Sequence, residues 1–390
     1  MKVLILHQHF KSPARGGAIR SYYLGKALQQ KGIEVSIITA HNDPGIKYEM
    51  IEGIAVHYLP VSYENRFGFI RRSVSFMRYI FGVVRLAPKF RDVSVCYAIS
   101  VPLTIGMAAI WIKKRFNIPF IFEVGDLWPE APIQMGVIRN GMFKRFLFAL
   151  ERYIYKQARS IVALSPSIQE AIAQKVPGKK IDLIPNMSDT DFFFPTERTV
   201  TTDAPYETQG KFVVSYLGAV GLANGLEYFL ACARVSQAQN LPIKFILCGD
   251  GARLSYLKDL AAQFKLDNLM FLPFRNREGI RALLATTDAV FVSYKHIPVL
   301  ETGSPNKYFD GLAAGKLIVI NFGGWIKNEI THHTCGVYVD PTRPGNFVEQ
   351  ITPYLNDQAL LKKSQQAGRL LAESSYARTI LSEKFYQLFV

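Results

Sequence analysis

Apolar residues along this chain fall into two rhythms. Short uninterrupted runs, at residues 3–6, 35–39, 118–122, 161–164, 212–216, 245–248, 269–272, 289–293 and 317–320, are bounded by polar or turn-forming residues. Runs of this length, rich in Val, Ile, Leu and Phe, predict strands buried on both faces. Between them lie longer stretches with helical spacing of apolar positions, among them residues 19–31, 165–175, 226–239 and 379–389. Strand and helix alternate, so the pattern predicts parallel sheets covered by helices. The chain opens with a strand, a long loop from Gln8 to Gly17, a helix stopped by Gly32 and a second strand. The same strand–loop–helix order returns at residues 212–239, with Gly218, Gly221 and Asn224-Gly225 in the loop. A polar stretch at 196–210 reads as the linker. The expected domains are residues 1–190 and 191–374, with a last segment at 375–390.

The glycines of the first loop, Gly16-Gly17, stand at its far end, so this is not a dinucleotide fingerprint, whose glycines follow the strand directly. A glycine pair at a helix N-terminus still lets backbone amides come close to a phosphate.

The stretch 63–91 has a different character. Arg71, Arg78 and Arg85 are seven residues apart and share one helical face; Lys89 continues it, although Pro88 is expected to end the helix first. Phe76, Met77, Ile80 and Phe81 lie around them. Apolar burial beside a basic ridge suits a helix lying on an anionic membrane surface, where each basic residue adds roughly 1 kcal/mol. The other reading is a helix packed on its own domain with its arginines in water. A second basic-aromatic helix, at 142–159, either extends this patch or belongs to the core. The longest uncharged run, 98–112, has 15 residues and contains Pro102. It predicts a buried helix rather than a membrane span. The first ten residues are too short on apolar positions for a signal peptide.

Composition sharpens this picture in two ways. The four cysteines, Cys96, Cys232, Cys248 and Cys335, are scattered without a C-x-x-C, which argues against a disulfide framework or zinc site and fits a reducing, cytoplasmic compartment. The formal net charge of +15 is uneven: residues 1–195 carry 26 Lys and Arg against 14 Asp and Glu, the remainder 20 against 17. Charge concentrated on the first half points to an anionic partner, membrane or nucleic acid.

The candidate chemistry centres on residues 300–320. Glu301 opens a turn-rich loop; Ser304, Pro305 and Asn306 read as a helix start, with Lys307 in the first turn, Asp310 inside the helix and Gly315 at its C-terminal end. A helix N-terminus with a lysine beside it is an anion site. Glu301 and Asp310, nine residues apart, are acceptors for hydroxyl groups. Phosphate and hydroxyl recognition together suggest a nucleotide-sugar. A second cluster follows the strand at 118–122: Asp126, Trp128 and Glu130 in EVGDLWPEAP, at a strand's C-terminal end where open sheets bind ligands. Asp126 either orients an acceptor or caps a turn.

At SPNKYFDGLAAGK, at DLWP and along GGAIRSYYLGKALQQKGIEVSIIT, the chain resembles the family 4 retaining glycosyltransferases, and within them the branch that builds bacterial surface polysaccharides such as O-antigen and capsule. The resemblance covers nearly the whole chain. It implies a GT-B architecture, an α/β fold of two Rossmann-like doubly wound domains facing a central cleft, with the last helix packing back on the first domain. It also implies transfer of a sugar from a nucleotide-sugar, most commonly UDP-linked, to a lipid-linked saccharide, by an enzyme held at the inner membrane face without metal or other cofactor. Residue by residue, Asp310 would hold the ribose and Glu301 the donor sugar. Lys307, Gly221 and the Gly16-Gly17 amides would stabilise the leaving phosphate, with Ser304 and Asn306 at the same helix start. The sequence departs from the family at several points. Asp310 stands where glutamate is usual, Gly125 where many relatives have a sugar-binding histidine, and Met187 where glycine is usual. Ala219 and Asn224 replace the arginine and lysine that hold the diphosphate. Lys307 must then carry more of that task, with Arg253 a candidate helper. Arg275 and Arg277, after the strand at 269–272, lie where the base would be held, or are solvated. The D-x-D of Asp189 and Asp191 sits at a domain exit and is not read as a metal site.

Two other classes explain part of the pattern. A nucleotide-sugar epimerase shares the two-domain build. A nucleic-acid-binding protein would share the pI near 9.5, but no recognition motif is visible and no nucleic-acid partner is expected.

Overall fold

The computed structural model describes residues 1–13, 19–64, 67–196 and 208–390. Gly16, Gly17 and most of the 196–210 linker therefore lie outside the described residues. The chain forms two compact units: Met1–Pro185 with Thr302–Ser304 and Thr379–Val390, and Asn186–Glu301 with Pro305–Arg378.

The first unit is built on strands β1 (Lys2–Leu6), β2 (Glu34–His41), β3 (Lys47–Ile51), β4 (Ile54–Pro60), β5 (Val95–Ile99), β6 (Phe120–Val124), β7 (Ser160–Ala163) and β8 (Ile181–Leu183). They form one sheet in the order β3-β4-β2-β1-β5-β6-β7-β8. All neighbours are parallel except β3 and β4, a hairpin at the edge. Its helices are α1 (Arg20–Gln30), α2 (Phe69–Leu86), α3 (Ile105–Phe116), α4 (Glu130–Gln134), α5 (Gly141–Gln157) and α6 (Pro166–Lys175). The uncharged run at 98–112 is not one buried helix: its start belongs to β5 and α3 begins only at Ile105, with Pro102 between them. Proline blocks the helical conformation of its predecessor, which separates the two elements.

The second unit has β9 (Phe212–Leu217), β10 (Ile243–Cys248), β11 (Leu269–Leu272), β12 (Ala289–Val292), β13 (Leu317–Ile320) and β14 (Gly336–Tyr338), in the order β11-β10-β9-β12-β13-β14, all parallel. Helices α7 (Glu227–Ala238), α8 (Leu254–Gln263), α9 (Arg277–Ala285), α10 (Asn306–Ala313), α11 (Trp325–His332), α12 (Gly345–Asn356) and α13 (Gln358–Leu371) cover it. Phe229 of α7 stacks edge-on against Phe245 and Phe291 of the sheet, each pair 5.2 Å between ring centres. All three rings are fully buried, and burying each contributes about 1.5–3 kcal/mol.

The last helix, α14 (Arg378–Tyr386), joins the first unit from Thr379 onward. Phe385 packs edge-on against Tyr97, 4.8 Å between ring centres, and Glu383 pairs with Lys31 at 2.9 Å. The segments that begin and end the second unit are joined by an isolated bridge: Ser188 donates its amide to the Tyr376 carbonyl at 2.8 Å, and its carbonyl accepts from the Arg378 amide at 3.1 Å.

One buried ionic network lies inside the first unit. Arg20, the first residue of α1, donates to both carboxylate oxygens of Glu123 on β6, and to the carbonyls of Ile184 and Pro185. Tyr97 of β5 donates to the same carboxylate. With all partners supplied, the charges are held in place; removing one would strand the other.

Candidate active site

In open parallel sheets, ligands bind beyond the strand C-termini where the strand order reverses direction. In the second unit that point lies between β9 and β12. The loop after β9 is short and closely held. The Gly218 and Val220 amides donate to the Cys248 and Asp250 carbonyls of the loop after β10, at 2.9 Å each. Gly249 and Gly251 face the carbonyls of Gly218 and Val220 so closely that a Cβ at either would overlap them. The loop after β12 joins them: Ser293 Oγ donates to the Asn224 carbonyl at 2.7 Å, and the Lys295 amide to the Ala223 carbonyl at 2.8 Å.

Lys307 projects from the first turn of α10 into this place. Its ammonium lies 3.7 Å from the centre of the Tyr216 ring, at the end of β9. Its Cε and Nζ come within 3.7 and 3.8 Å of where a Cβ on Gly218 would stand. Gly218 has φ +124, a conformation that favours glycine. Among the described residues no carboxylate lies within ion-pair distance of Lys307. Burial lowers its ammonium to about 7. An unpaired, desolvated cation against glycine backbone has the chemistry to receive an anion.

One turn along α10, burial pushes the Asp310 carboxyl up to about 7, with Arg277 opposing and Asp189 adding to the shift. Gly315 follows the helix with φ +60, the left-handed turn expected of it. The N-cap is Pro305 without a side-chain cap. Ser304 is buried and clusters with the first unit, while Asn306 is exposed as the first helical residue. Glu301 lies in a short 3₁₀ turn (Pro298–Thr302) beside Gly323 and Gly324, the residues leading into α11. A Cβ on Gly323 would stand 2.8 Å from Glu301 Oε2. The helix end favours a carboxylate there.

Three expectations are altered by partners already in place, one local and two distant in sequence. The Gly221 amide, assigned to phosphate, donates to Asn224 Oδ1 at 3.0 Å. Arg253, the candidate helper, pairs with Glu227 at 2.5 Å and lies over the Tyr256 ring at 3.8 Å, so its charge is already matched. Arg277 is not solvated: it pairs with Asp189 at 2.6 Å and stacks on Phe192 at 4.2 Å. Asp189 and Asp191 also hold Arg378, at 2.9 and 2.5 Å, so both acids of the D-x-D are engaged by arginine. Tyr216 was missed, and an aromatic residue directly before a glycine-rich loop is the signal that could have found it.

In the first unit the order reverses between β1 and β5. Asp126 stands exposed two residues beyond β6, at this same edge. Gln8 and Ser100, just beyond β1 and β5, are buried, and with Thr104 they hold side-chain oxygens, Oε1, Oγ and Oγ1, that have no hydrogen-bond partner among the described residues. Buried polar atoms are normally satisfied, so an edge with three open acceptors is suited to a hydroxyl-rich ligand.

The basic helix α2 has the surface its pattern predicts. Ile70, Val74 and Phe81 are exposed at 77%, 47% and 68%, alongside exposed Arg71, Arg78 and Arg85. On α5, Met142, Phe143 and Phe146 are exposed too, so its N-terminal half is surface rather than core. No helix among the described residues is long and apolar enough to cross a membrane.

Comparison with known proteins agrees with this construction. Residues 15–187 match the family described as Glycosyl transferase 4-like domain, and residues 201–371 match Glycosyl transferases group 1. A probable glycosyltransferase of Pseudomonas aeruginosa, WbjE, is 25% identical over 339 residues, covering 84% of this chain and 81% of that protein. Among solved structures, sucrose-phosphate synthase from Thermosynechococcus elongatus superposes with a TM-score of 0.82 at 16% identity, covering 100% and 98% of the two chains. Anabaena HepE in complex with UDP and glucose gives 0.71 at 16% identity over 100% and 99%. WaaG, a glycosyltransferase involved in lipopolysaccharide biosynthesis, gives 0.71 at 14% identity over 100% of both. The fold is therefore GT-B, and the chain is a glycosyltransferase built from the paired domains of the GT4 type.

Proposed function

We propose that this enzyme moves a sugar, with retention of configuration, from a UDP-sugar to a lipid-linked saccharide in surface polysaccharide biosynthesis. The observation that carries the donor half is Lys307: a half-buried ammonium without a carboxylate partner among the described residues, set against the loop after β9 at the sheet's switch point. HepE, of the same fold, is described with UDP and glucose, and WaaG acts in lipopolysaccharide biosynthesis. In this reading Lys307 meets the diphosphate, Asp310 the ribose and Glu301 the hydroxyls of the donor sugar. Gly221, with Ser304 and Asn306 near the start of α10, completes the surroundings. Arg253 keeps Glu227, and so shapes the loop rather than touching phosphate. Gly16 and Gly17 would add amides to the leaving group.

Charge growing on the leaving phosphate is met by fixed donors, a large source of rate enhancement in such sites. That phosphate takes the proton of the attacking hydroxyl on the face it leaves, so the new bond forms with the old configuration and no protein nucleophile is required. Asp126 and the open acceptors of Gln8 and Ser100 suit the polar part of the acceptor. The transfer is proposed to need no metal, a reading supported by the arginine pairing of Asp189 and Asp191. The exposed face of α2, with Arg71, Arg78 and Arg85, would hold the enzyme peripherally on the cytoplasmic membrane surface, where a lipid-linked acceptor is found.

Thermal unfolding with UDP, GDP and ADP in excess chelator tests the donor reading. A ligand at 100 times its dissociation constant stabilises by about 2.7 kcal/mol. A shift with UDP alone supports it, and no shift with any nucleotide refutes it. Lipid-linked saccharides offered with UDP-sugars then separate transfer from epimerisation, which would convert the donor without acceptor.

A further inference from the structure

At the opposite edge of the first sheet lies a cavity of about 650 Å3, between the end of α5 and the turn joining α6 to β8. It is lined by six cationic residues, Arg152, Lys156, Arg159, Lys175, Lys179 and Lys180, and by no acid. The helix ends and strand starts gathered here mark the N-terminal edge of the sheet, whereas Asp126 stands at the C-terminal edge. Substrates of open parallel sheets bind at the latter, so this cavity is no part of the transfer site.

Some of these cations have structural partners. Lys179 donates to the Ala158 and Lys156 carbonyls at 2.8 and 3.1 Å, capping the end of α5. Lys113, just outside the cavity, does the same to the Gln157 carbonyl at 2.7 Å. Lys175 is held by Glu151 at 2.7 Å and by Glu130. Lys180 has only Asp182, at 3.9 Å. Arg152, Lys156 and Arg159 remain, all exposed and without an acidic partner among the described residues. Arg152 and Lys156 are four residues apart on one helix, where like charges repel and weaken the helix. Lysines already committed to the helix end add to that repulsion. The acids nearby are engaged by Lys175 and Lys180.

We propose that this cavity is a second anion site, separate from the donor site, that binds a ligand carrying two or more phosphate charges. Its volume suits a small phosphorylated molecule or a headgroup. Bidentate guanidinium geometry is not required: three exposed cations lining one concavity meet a pyrophosphate or a phosphomonoester from several sides. The shared chemistry is the phosphate, supplied either by an anionic lipid headgroup or by a soluble phosphorylated compound. The inference stands independently of the transfer reading.

The test titrates inorganic pyrophosphate calorimetrically into wild type, into Lys307→Met, and into the combined Arg152→Gln, Lys156→Gln, Arg159→Gln variant. Phosphatidylcholine vesicles with and without phosphatidic acid are titrated in parallel. The expected result is that pyrophosphate affinity survives in Lys307→Met and falls about tenfold or more in the cavity variant, which exchanges only exposed residues and should melt as wild type does. If the cavity variant also binds the phosphatidic acid vesicles more weakly than wild type, with α2 intact in both, the phosphate is a lipid headgroup. If its vesicle affinity equals that of wild type, the ligand is soluble. Equal pyrophosphate affinity in wild type and cavity variant, or no binding beyond what Lys307→Met abolishes, overturns the proposal.

Discussion

The ammonium of Lys307 rests 3.7 Å from the centre of the Tyr216 ring. The aromatic face attracts the cation electrostatically while shielding it from water, so Lys307 is held in place before any anion arrives. Lys307→Met is expected to weaken UDP binding by about 10- to 150-fold, the worth of a charge-assisted hydrogen bond. Because burial lowers the ammonium to about 7, wild-type affinity should fall as pH rises above that value, with proton uptake on binding. Calorimetry in buffers of different ionisation enthalpy reads both effects, and affinity indifferent to pH and to the substitution would remove Lys307 from the site.

The same two shifts make opposite predictions for stability. Lys307 folds with its pKa below the ordinary 10.5, so between about 7 and 10.5 the unfolded chain holds the extra proton and stability rises with pH. Asp310 folds with its carboxyl raised from 3.8 to about 7, so across that window the folded state holds the proton and stability falls as pH rises. Lys307→Met should therefore raise the melting temperature most below pH about 7, and Asp310→Asn most above it. For domains of this size each kcal/mol gained is worth about 2–4 °C.

Gly249 packs its backbone onto the Gly218 carbonyl with no room for a side chain. Gly249→Ala must push apart the loops after β9 and β10, at a cost of about 1–3 kcal/mol, and should reduce UDP affinity with it. Gly345→Ala, at a position with open space around it, is the control. Equal melting temperatures and UDP affinities in both variants would show that the loop contact does not shape the site.

Asn224 Oδ1 takes the Gly221 amide at 3.0 Å. Asn224→Lys would free that amide and add a cation beside it. We expect UDP to bind about tenfold tighter or more, and unchanged affinity would mean that the diphosphate does not reach this loop.

Arg71, Arg78 and Arg85 changed together to Glu should abolish binding to anionic vesicles, at roughly 1 kcal/mol for each basic residue lost near the surface. Persistent binding in a sedimentation assay would assign membrane contact to another surface.

How far the sequence could be read depended on whether a feature was local. The strands at 3–6, 212–216 and 317–320 were legible because a strand buried on both faces needs an unbroken apolar run. The hairpin was not: β3 reads KYEMI, whose polar residues interrupt any apolar run and whose Tyr48 and Met50 are exposed, so it lacks the unbroken run that marks the other strands. In the site, Lys307 and Asp310 were legible from their place at a helix start. The pairing of Arg253 with Glu227 and of Arg277 with Asp189 was not, since it joins residues 26 and 88 positions apart. Charge alone left those arginines available for phosphate or base, and only the folded chain shows them occupied.

The paired backbone of Ser188 with Tyr376 and Arg378 has a consequence for how this protein can be taken apart. A chain cut before Asn186 and after Arg378 would have two ends already joined by hydrogen bonds. Such a segment is a movable block, one that recombination could lift from one chain and set into another without leaving a loose thread at either seam.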